Sequence, residues 1–479
     1  MHNDSRLASA SRTDLNGWIH LRIGGKPRDR GFQHGYLLAD EIREALLHID
    51  FLVRMDTGIE LAWFGSNAQA MFEKTLGSNF GGKLGDHSGV DVLEELEGIV
   101  EGANANRPAH APVLTLTDLL GWNGYPELIC QWFPAVMAGQ VEPAVPLPKA
   151  VPVGLHTGPR RWHHFGHHCS AFVAVGEATR DGEVVIAQTT WQRFANGDAY
   201  NVILDIAPAG GPRLLMQSVP GYVASSTDFW LTSEGLAIAE TSINGSGFDP
   251  KGLPEFFRAR RAAQHAGTIE DWVDLFRFGN NGGYTNTWFL GDVNRRRIAA
   301  YELTLHYEAL QPVVTSGFYA GYNIPLDAQV RNLGCAGPSG FDNVLQSGSR
   351  RVRWEQLRER HAGRIDAELA ARMLADHHDV YLDAECPSPR TICGHTDNDG
   401  SGLGGNEPWY PWGSLDGKVT SGPLAREMKM LGRWGRACGT PFEVEPFLAR
   451  HPQYAWLRGH MKDRPTQPWT EFAARTDSD

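Results

Sequence analysis

A layered α+β fold is predicted, on three observations: helical periodicity in the first third and in three later segments, strand periodicity through the centre, and a proline-rich connector between the two regimes. In the first third, Leu38, Ile42, Leu46, Ile49 and Val53 recur at helical spacing, and Leu93, Leu96, Val100 and Ala103 repeat the pattern. Both stretches predict amphipathic helices with one apolar face turned inward. From Val141 to His168 the composition changes. Pro143, Pro146, Pro148, Pro152 and Pro159 precede a histidine-rich end, WHHFGHH, which predicts an extended, exposed connector. The boundary placed there divides a helical segment with its connector, residues 1–168, from a sheet-based core, residues 169–479.

Beyond the connector the period changes to two. SAFVAV, a turn at Arg180-Asp181-Gly182, and EVVIAQTTW predict a β-hairpin whose first strand opens at Cys169. Strands follow at NVILDIAP, PRLLMQSV, GLAIAETS, NTWFLGD and RRIAAYELT, and helices return at PEFFRARRAAQHA, EDWVDLFRFG and RRVRWEQLRERHA. A strand-rich centre with helical flanks implies stacked layers.

Composition narrows the function. With 479 residues, 42% of them hydrophobic and 21% charged, the chain can bury a substantial core. A formal net charge of -12 argues against nucleic acid or an anionic bilayer as partner, since both demand basic surface. Six scattered cysteines fit neither a disulfide scaffold nor a paired-CxxC zinc site, so a reducing compartment is expected. Met1 to Leu15 is polar and no stretch approaches membrane length. The expectation is a cytoplasmic protein with no integral membrane segment.

Cys169 holds the most informative position. When the peptide bond before a cysteine is cut, the new α-amino group lies beside its own thiol. An α-amino pKa of roughly 7.7 to 8.0 lets that amine take the thiol proton near neutral pH, so one residue supplies both nucleophile and base. Before the cut, Cys169 would attack the His168 carbonyl, form a thioester and release the upstream segment by hydrolysis. Taken alone, Cys169 reads more readily as a small buried hydrophobe.

The wider pattern decides between these. RGFQHGYLLADEI, LEELEGIVEGANA, CSAFVAVGEATRDGEVVIAQTTW, SVPGYVASSTDFWLTSEGLAIAETS, YTNTW, GYNIP, TICGHTDND and DGKVTS resemble, in that order, the phospholipase B-like proteins and their penicillin acyltransferase-type and bile-salt hydrolase-type N-terminal-nucleophile relatives. The resemblance implies a four-layer αββα sandwich, autocleavage between His168 and Cys169, no cofactor, and hydrolysis or transfer of an acyl group. Under it, Asn286 in YTNTW falls where relatives place an oxyanion donor, and Arg350 of Ser349-Arg350 falls where relatives hold the nucleophile region with a guanidinium. Thr241 and Ser242 resemble a strand end that adds a further donor. Read singly, Asn286 is also a turn asparagine and Arg350 a solvated charge at a helix start.

Two positions depart from the relatives. Bile-salt hydrolases carry an arginine and an aspartate on the strand after the nucleophile, where this chain has Gln188 and Thr190. Thr190-Trp191 matches the HNTW of phospholipase B-like members and Gln188 does not. Gln188 supplies no charge, so neutral contacts are expected to orient the nucleophile, with Gln188, Thr190 and Trp191 supporting substrate or oxyanion.

The expected substrate is a small N-acyl amide. Removal of fatty acyl chains from phospholipids is the alternative within the enzyme class, and a catalytically silent binding protein the alternative outside it. Oligomeric state is open, a homo-oligomer included. The histidines 163, 164, 167 and 168, and Asp376-His377-His378-Asp379, have spacings that could bind a transition metal, but an exposed connector and a rim loop explain them better, and no metal is assigned. The glycines of Gly77 to Gly85 lack the order of a phosphate-binding loop.

Overall fold

The structure, a computed structural model, describes residues 4–76, 90–148, 168–336, 342–402 and 407–475. Most of the connector, with histidines 163, 164 and 167, and the glycine loop Gly77 to Gly85 lie outside the described residues.

The N-terminal third opens with two strands that its helical periodicity did not announce: β1 (Ser11–Leu15) and β2 (Trp18–Gly25). In WIHLRIGG the buried Trp18, Ile19, Leu21 and Ile23 give β2 a two-residue alternation too short to compete with the long helical stretches that follow. Helices α1 (Pro27–Leu37), α2 (Ala39–Thr57), α3 (Leu61–Lys74), α4 (Val90–Ala105) and α5 (Leu116–Asn123) follow; α2 and α4 are the two predicted from periodicity, and the other three are additional. Helices α1 and α4 approach closely because each carries glycines four residues apart on the contact face. A Cβ on Gly31 or Gly35 would fall 2.1 or 2.0 Å from the carbonyl oxygen of Glu95 or Ile99, and one on Gly98 or Gly102 would meet Arg28 or Phe32 as tightly. The described start of the connector is tethered rather than free: Val145 donates to Asn67 Oδ1 at 2.9 Å, and its carbonyl accepts from Trp63 Nε1.

The hairpin forms β3 (His168–Gly176) and β4 (Gly182–Arg193), turning through a left-handed Gly182 with φ of 73°. Strands β5 (Val202–Pro208), β6 (Leu214–Ser218), β7 (Trp230–Thr232) and β8 (Leu236–Ser242) follow, then α6 (Glu255–His265) and α7 (Ile269–Arg277). Next come β9 (Asn286–Asp292), β10 (Arg297–Leu303), β11 (Glu308–Leu310) and β12 (Gly317–Gly321), and the helices α8 (Gln346–His361) and α9 (Ala367–Leu374). The two-residue pair β13 (His378–Asp379) and β14 (Ala384–Glu385) precedes β15 (Trp412–Ser414), β16 (Asp416–Ser421), β17 (Lys429–Trp434) and β18 (Thr470–Ala473).

Two large sheets result. The first runs β1-β2-β5-β6-β7-β8-β9-β10-β11; the second runs β12-β3-β4-β16-β17-β18, with β15 also on β4. All neighbours are antiparallel except β2 and β5, which pair in parallel from Ile19–Val202 to Gly25–Pro208. Strands β3 and β4 face β8 and β9, so the sheets stack. Helices α6 and α7 cover the far side of the first sheet, where Trp272 and Phe276 pack on Trp288, and α8 and α9 cover the far side of the second. This is the expected αββα sandwich. Strand β3 records it in its alternation: Ala171, Val173 and Val175 join the core shared with the first sheet, while Phe172 and Ala174 join a second core with Trp354, Leu357 and Leu369.

Candidate active site

Cys169 is fully buried where β3 begins to pair with β4, opposite Thr190. Its backbone is held by side chains at both ends. The amide donates to Asn323 Oδ1 at 3.3 Å, and the carbonyl accepts from Arg350 Nη1 at 2.6 Å. Arg350 also donates to Ser170 Oγ at 3.1 Å and to Asn323 Oδ1 at 2.8 Å, while Asn323 Nδ2 donates to the Ser242 carbonyl at 2.8 Å. Arg350 is thus no solvated charge. It is completely buried, its guanidinium carbon 4.3 Å from the Trp191 ring centroid, and burial brings its pKa down to about 9.

The thiol donates to Glu240 Oε1 at 3.7 Å. Burial, and secondarily the nearby Glu240, push the Cys169 pKa well above that of a free thiol, so it is held as SH. Burial likewise raises the Glu240 carboxyl to about 8. Behind these groups lie further buried acids: Asp228 and Glu255, both raised well above the carboxylate range, and Glu127, raised to about 7, in each case chiefly by desolvation.

The side chains of Gln188 and Thr190 reach the same side as the thiol. Gln188 Nε2 donates to the carbonyls of Thr227 and Glu240 at 2.9 and 2.7 Å. Thr190 Oγ1 accepts from Lys418 Nζ at 2.6 Å, and its amide donates to Asp416 Oδ1 at 2.9 Å. Lys418 and Asp416 form a fully buried ion pair at 3.1 Å. The expectation that neutral contacts alone orient Cys169 therefore fails: Arg350, Lys418 and Asp416 bring charge from α8 and β16, where the hairpin lacks it. Trp191 lies on the other face of β4 and supports Arg350 instead of lining the space between the sheets.

Asn286 pairs with Ser242 across β8 and β9. It is 1% exposed, and neither its Nδ2 nor its Oδ1 has a hydrogen-bond partner among the described residues. A buried amide left unsatisfied costs stability unless something else occupies it, as an oxyanion would. Thr241 Oγ1 is also buried without a partner, close to Gly321 of β12. Of His168, only the backbone pairing with Trp191 is described.

Asn323 and Glu240 were not singled out from the sequence, nor was the Lys418–Asp416 pair, although GYNIP, AETS and DGKVTS were all read as motifs. Their signal was the motif itself. Which side chain in each would face Cys169 depends on strand register. A separate set of donors, His377, Cys393, His395 and Cys438, converges beyond the outer face of the second sheet. Asp376 and Asp379 are not part of it: they are engaged by Arg353 and Arg390.

Fold and site together define a layered αββα protein built around a buried, side-chain-clamped cysteine at a strand start. A phospholipase B family profile matches residues 87–467, and the chain belongs to the phospholipase B family, a family of hydrolases. It is similar to human phospholipase B-like 1, 24% identical over 206 residues that make up 37% of this chain and 35% of that protein. It is also similar to phospholipase B-like protein B of Dictyostelium discoideum, 22% identical over 299 residues, 56% of this chain and 50% of that one. The chain thus spans half or less of the length of these two relatives. Among solved structures, a variant of conjugated bile acid hydrolase from Clostridium perfringens overlays with a TM-score of 0.31 and 11% identity, over 55% of this chain and 88% of that one. No helix among the described residues is long and apolar enough to cross a membrane.

Proposed function

We propose that the chain is a cysteine N-terminal-nucleophile acyl hydrolase that first cuts its own His168–Cys169 bond. In the uncut chain Glu240 takes the thiol proton as sulfur attacks the His168 carbonyl. The C–N bond breaks with protonation of the Cys169 nitrogen, and water hydrolyses the thioester, leaving a His168 carboxylate and a free Cys169 amine. From then on the α-amine takes the thiol proton, sulfur attacks the substrate carbonyl, and Asn286 Nδ2 donates to the developing oxyanion. The leaving group departs with the proton from the α-ammonium, and water releases the acid.

One observation carries this reading: the amide and the carbonyl of Cys169 are both gripped by side chains, Asn323 and Arg350. A residue that is to become a chain terminus loses the covalent anchor on its N-terminal side, and such a clamp keeps its amine and thiol in place afterwards. The substrate we favour is an N-acyl amide, because the same sulfur must first open an amide. A phospholipid ester is the second reading, favoured by family membership.

Mass spectrometry and N-terminal sequencing of the purified chain test the first step: a fragment beginning at Cys169, absent from Cys169→Ala, is expected. A wild-type chain that stays intact overturns the mechanism. Amine release from N-acyl amino acids, set against fatty acid release from dispersed phospholipid, then separates the two substrates.

A further inference from the structure

His377, Cys393, His395 and Cys438 each offer one donor atom, and all four atoms lie within 4.8 Å of one another. His377 Nε2 is 3.1 Å from His395 Nε2, and the sulfurs of Cys393 and Cys438 are 3.4 and 3.6 Å from that same nitrogen. We propose that these residues form a structural zinc site. Tetrahedral zinc, with Zn–S near 2.3 Å and Zn–N near 2.0 to 2.1 Å, sets its ligands about 3.3 Å apart from N to N and about 3.5 Å from N to S. The three edges that meet at His395 Nε2 fit such a tetrahedron, and the remaining edges lie within 4.8 Å.

The chemistry of the donors agrees with the geometry. Both cysteines are free thiols, and Cys393 and His395 are buried. Two ring nitrogens and two sulfurs facing one another concentrate lone pairs that a dication would satisfy. Binding would release the two thiol protons, and two thiolates would cancel the charge of the ion, leaving a neutral centre suited to burial. The Thr440 amide donates to Cys438 Sγ at 3.4 Å, a contact that favours thiolate. Four protein ligands leave no open position for water or substrate, so the site is structural and not catalytic.

Its place in the fold says what it would hold. The ligands come from three separate segments: the stretch after α9, the Cys393–His395 stretch, and the turn after β17. The Cys393 amide donates to the Asp376 carbonyl, and His395 bridges to Gly413 within β15. Between the two central ligands, Gly394 lies flat on Trp191, where an added Cβ would come 2.5 Å from the indole. Trp191 in turn supports the guanidinium that grips Cys169. The ion would therefore brace the outer wall behind the nucleophile, a role independent of the substrate and of self-cleavage.

The test uses the full chain produced without a polyhistidine tag. Elemental analysis is expected to find one zinc per chain, retained in the control Cys130→Ser and lost in Cys393→Ser/Cys438→Ser. Because that double variant could misfold, the wild-type chain is also loaded with cobalt(II). Tetrahedral d–d bands, with thiolate-to-cobalt charge transfer of an intensity that counts two sulfurs, are expected. A wild-type chain without zinc, a Cys393–Cys438 disulfide on non-reducing peptide mapping, another metal in place of zinc, or a cobalt spectrum lacking the thiolate band would each overturn the proposal.

Discussion

Arg350 donates to the Cys169 carbonyl through one nitrogen and to Asn323 Oδ1 through another, so a single buried guanidinium fixes both Cys169 and the side chain that accepts from its amide. A lysine reaches one of these acceptors, not both in the same plane. Arg350→Lys is expected to slow self-cleavage by about 10- to 100-fold through misplacement of the sulfur. Time courses of precursor loss on denaturing gels measure this, with circular dichroism confirming the fold.

Asn286 has a buried amide with no partner among the described residues, as a transition-state donor requires. Asn286→Ala is expected to lower kcat by about 100-fold or more, with little change in KM. A change in KM alone would assign Asn286 to ground-state binding.

Glu240 is the group placed to take the thiol proton before any α-amine exists. Burial holds it protonated below a pKa of about 8, and only the ionised form is a base. Cleavage of freshly synthesised precursor should accelerate as pH rises toward that value and then level off. Glu240→Gln should be slower by about 100-fold and should lose the levelling-off near that value.

Glu127 predicts a stability effect with a definite sign. Its folded pKa of about 7 lies above the ordinary carboxylate value of 4.5, so between those pH values the folded chain binds more protons than the unfolded one. Stability from this group is full below the unfolded pKa and is lost as pH rises through the folded one, by up to about 3 kcal/mol. Denaturant unfolding of Glu127→Gln at the two ends of that window should show a smaller loss than the wild-type chain.

The fold was legible wherever one period dominated a long stretch. The hairpin at Cys169, the central strands and the later helices lie within a few residues of where the alternation puts them. Strand β2 escaped because a short alternating segment ahead of long helical patterns carries little weight, and β16 to β18 because their burial depends on partners far along the chain. In the site, Cys169 was visible because its position before a strand and after a connector is local. Asn323, Glu240 and Lys418 were not: each reaches the site through the register of a strand or loop with no sequence proximity to Cys169. Of the proposed zinc ligands, His377 stands in a short run that sequence spacing does flag, but with the wrong neighbours, Asp376, His378 and Asp379. Its partners, the Cys393-x-His395 pair and Cys438, reach it only through the fold and follow none of the short ligand spacings by which such centres are read from sequence.

Strand β2 lies upstream of the proposed cut, and its parallel partner β5 lies downstream. Scission would leave a seven-pair ladder spanning two polypeptides, and a chain that folds once as one polypeptide could then recover only by a second-order encounter between its halves. Its native state would be preserved after processing by the slowness of unfolding and no longer by reversible equilibrium, so that heat or denaturant would inactivate the mature form for good at dilutions where the precursor still refolds.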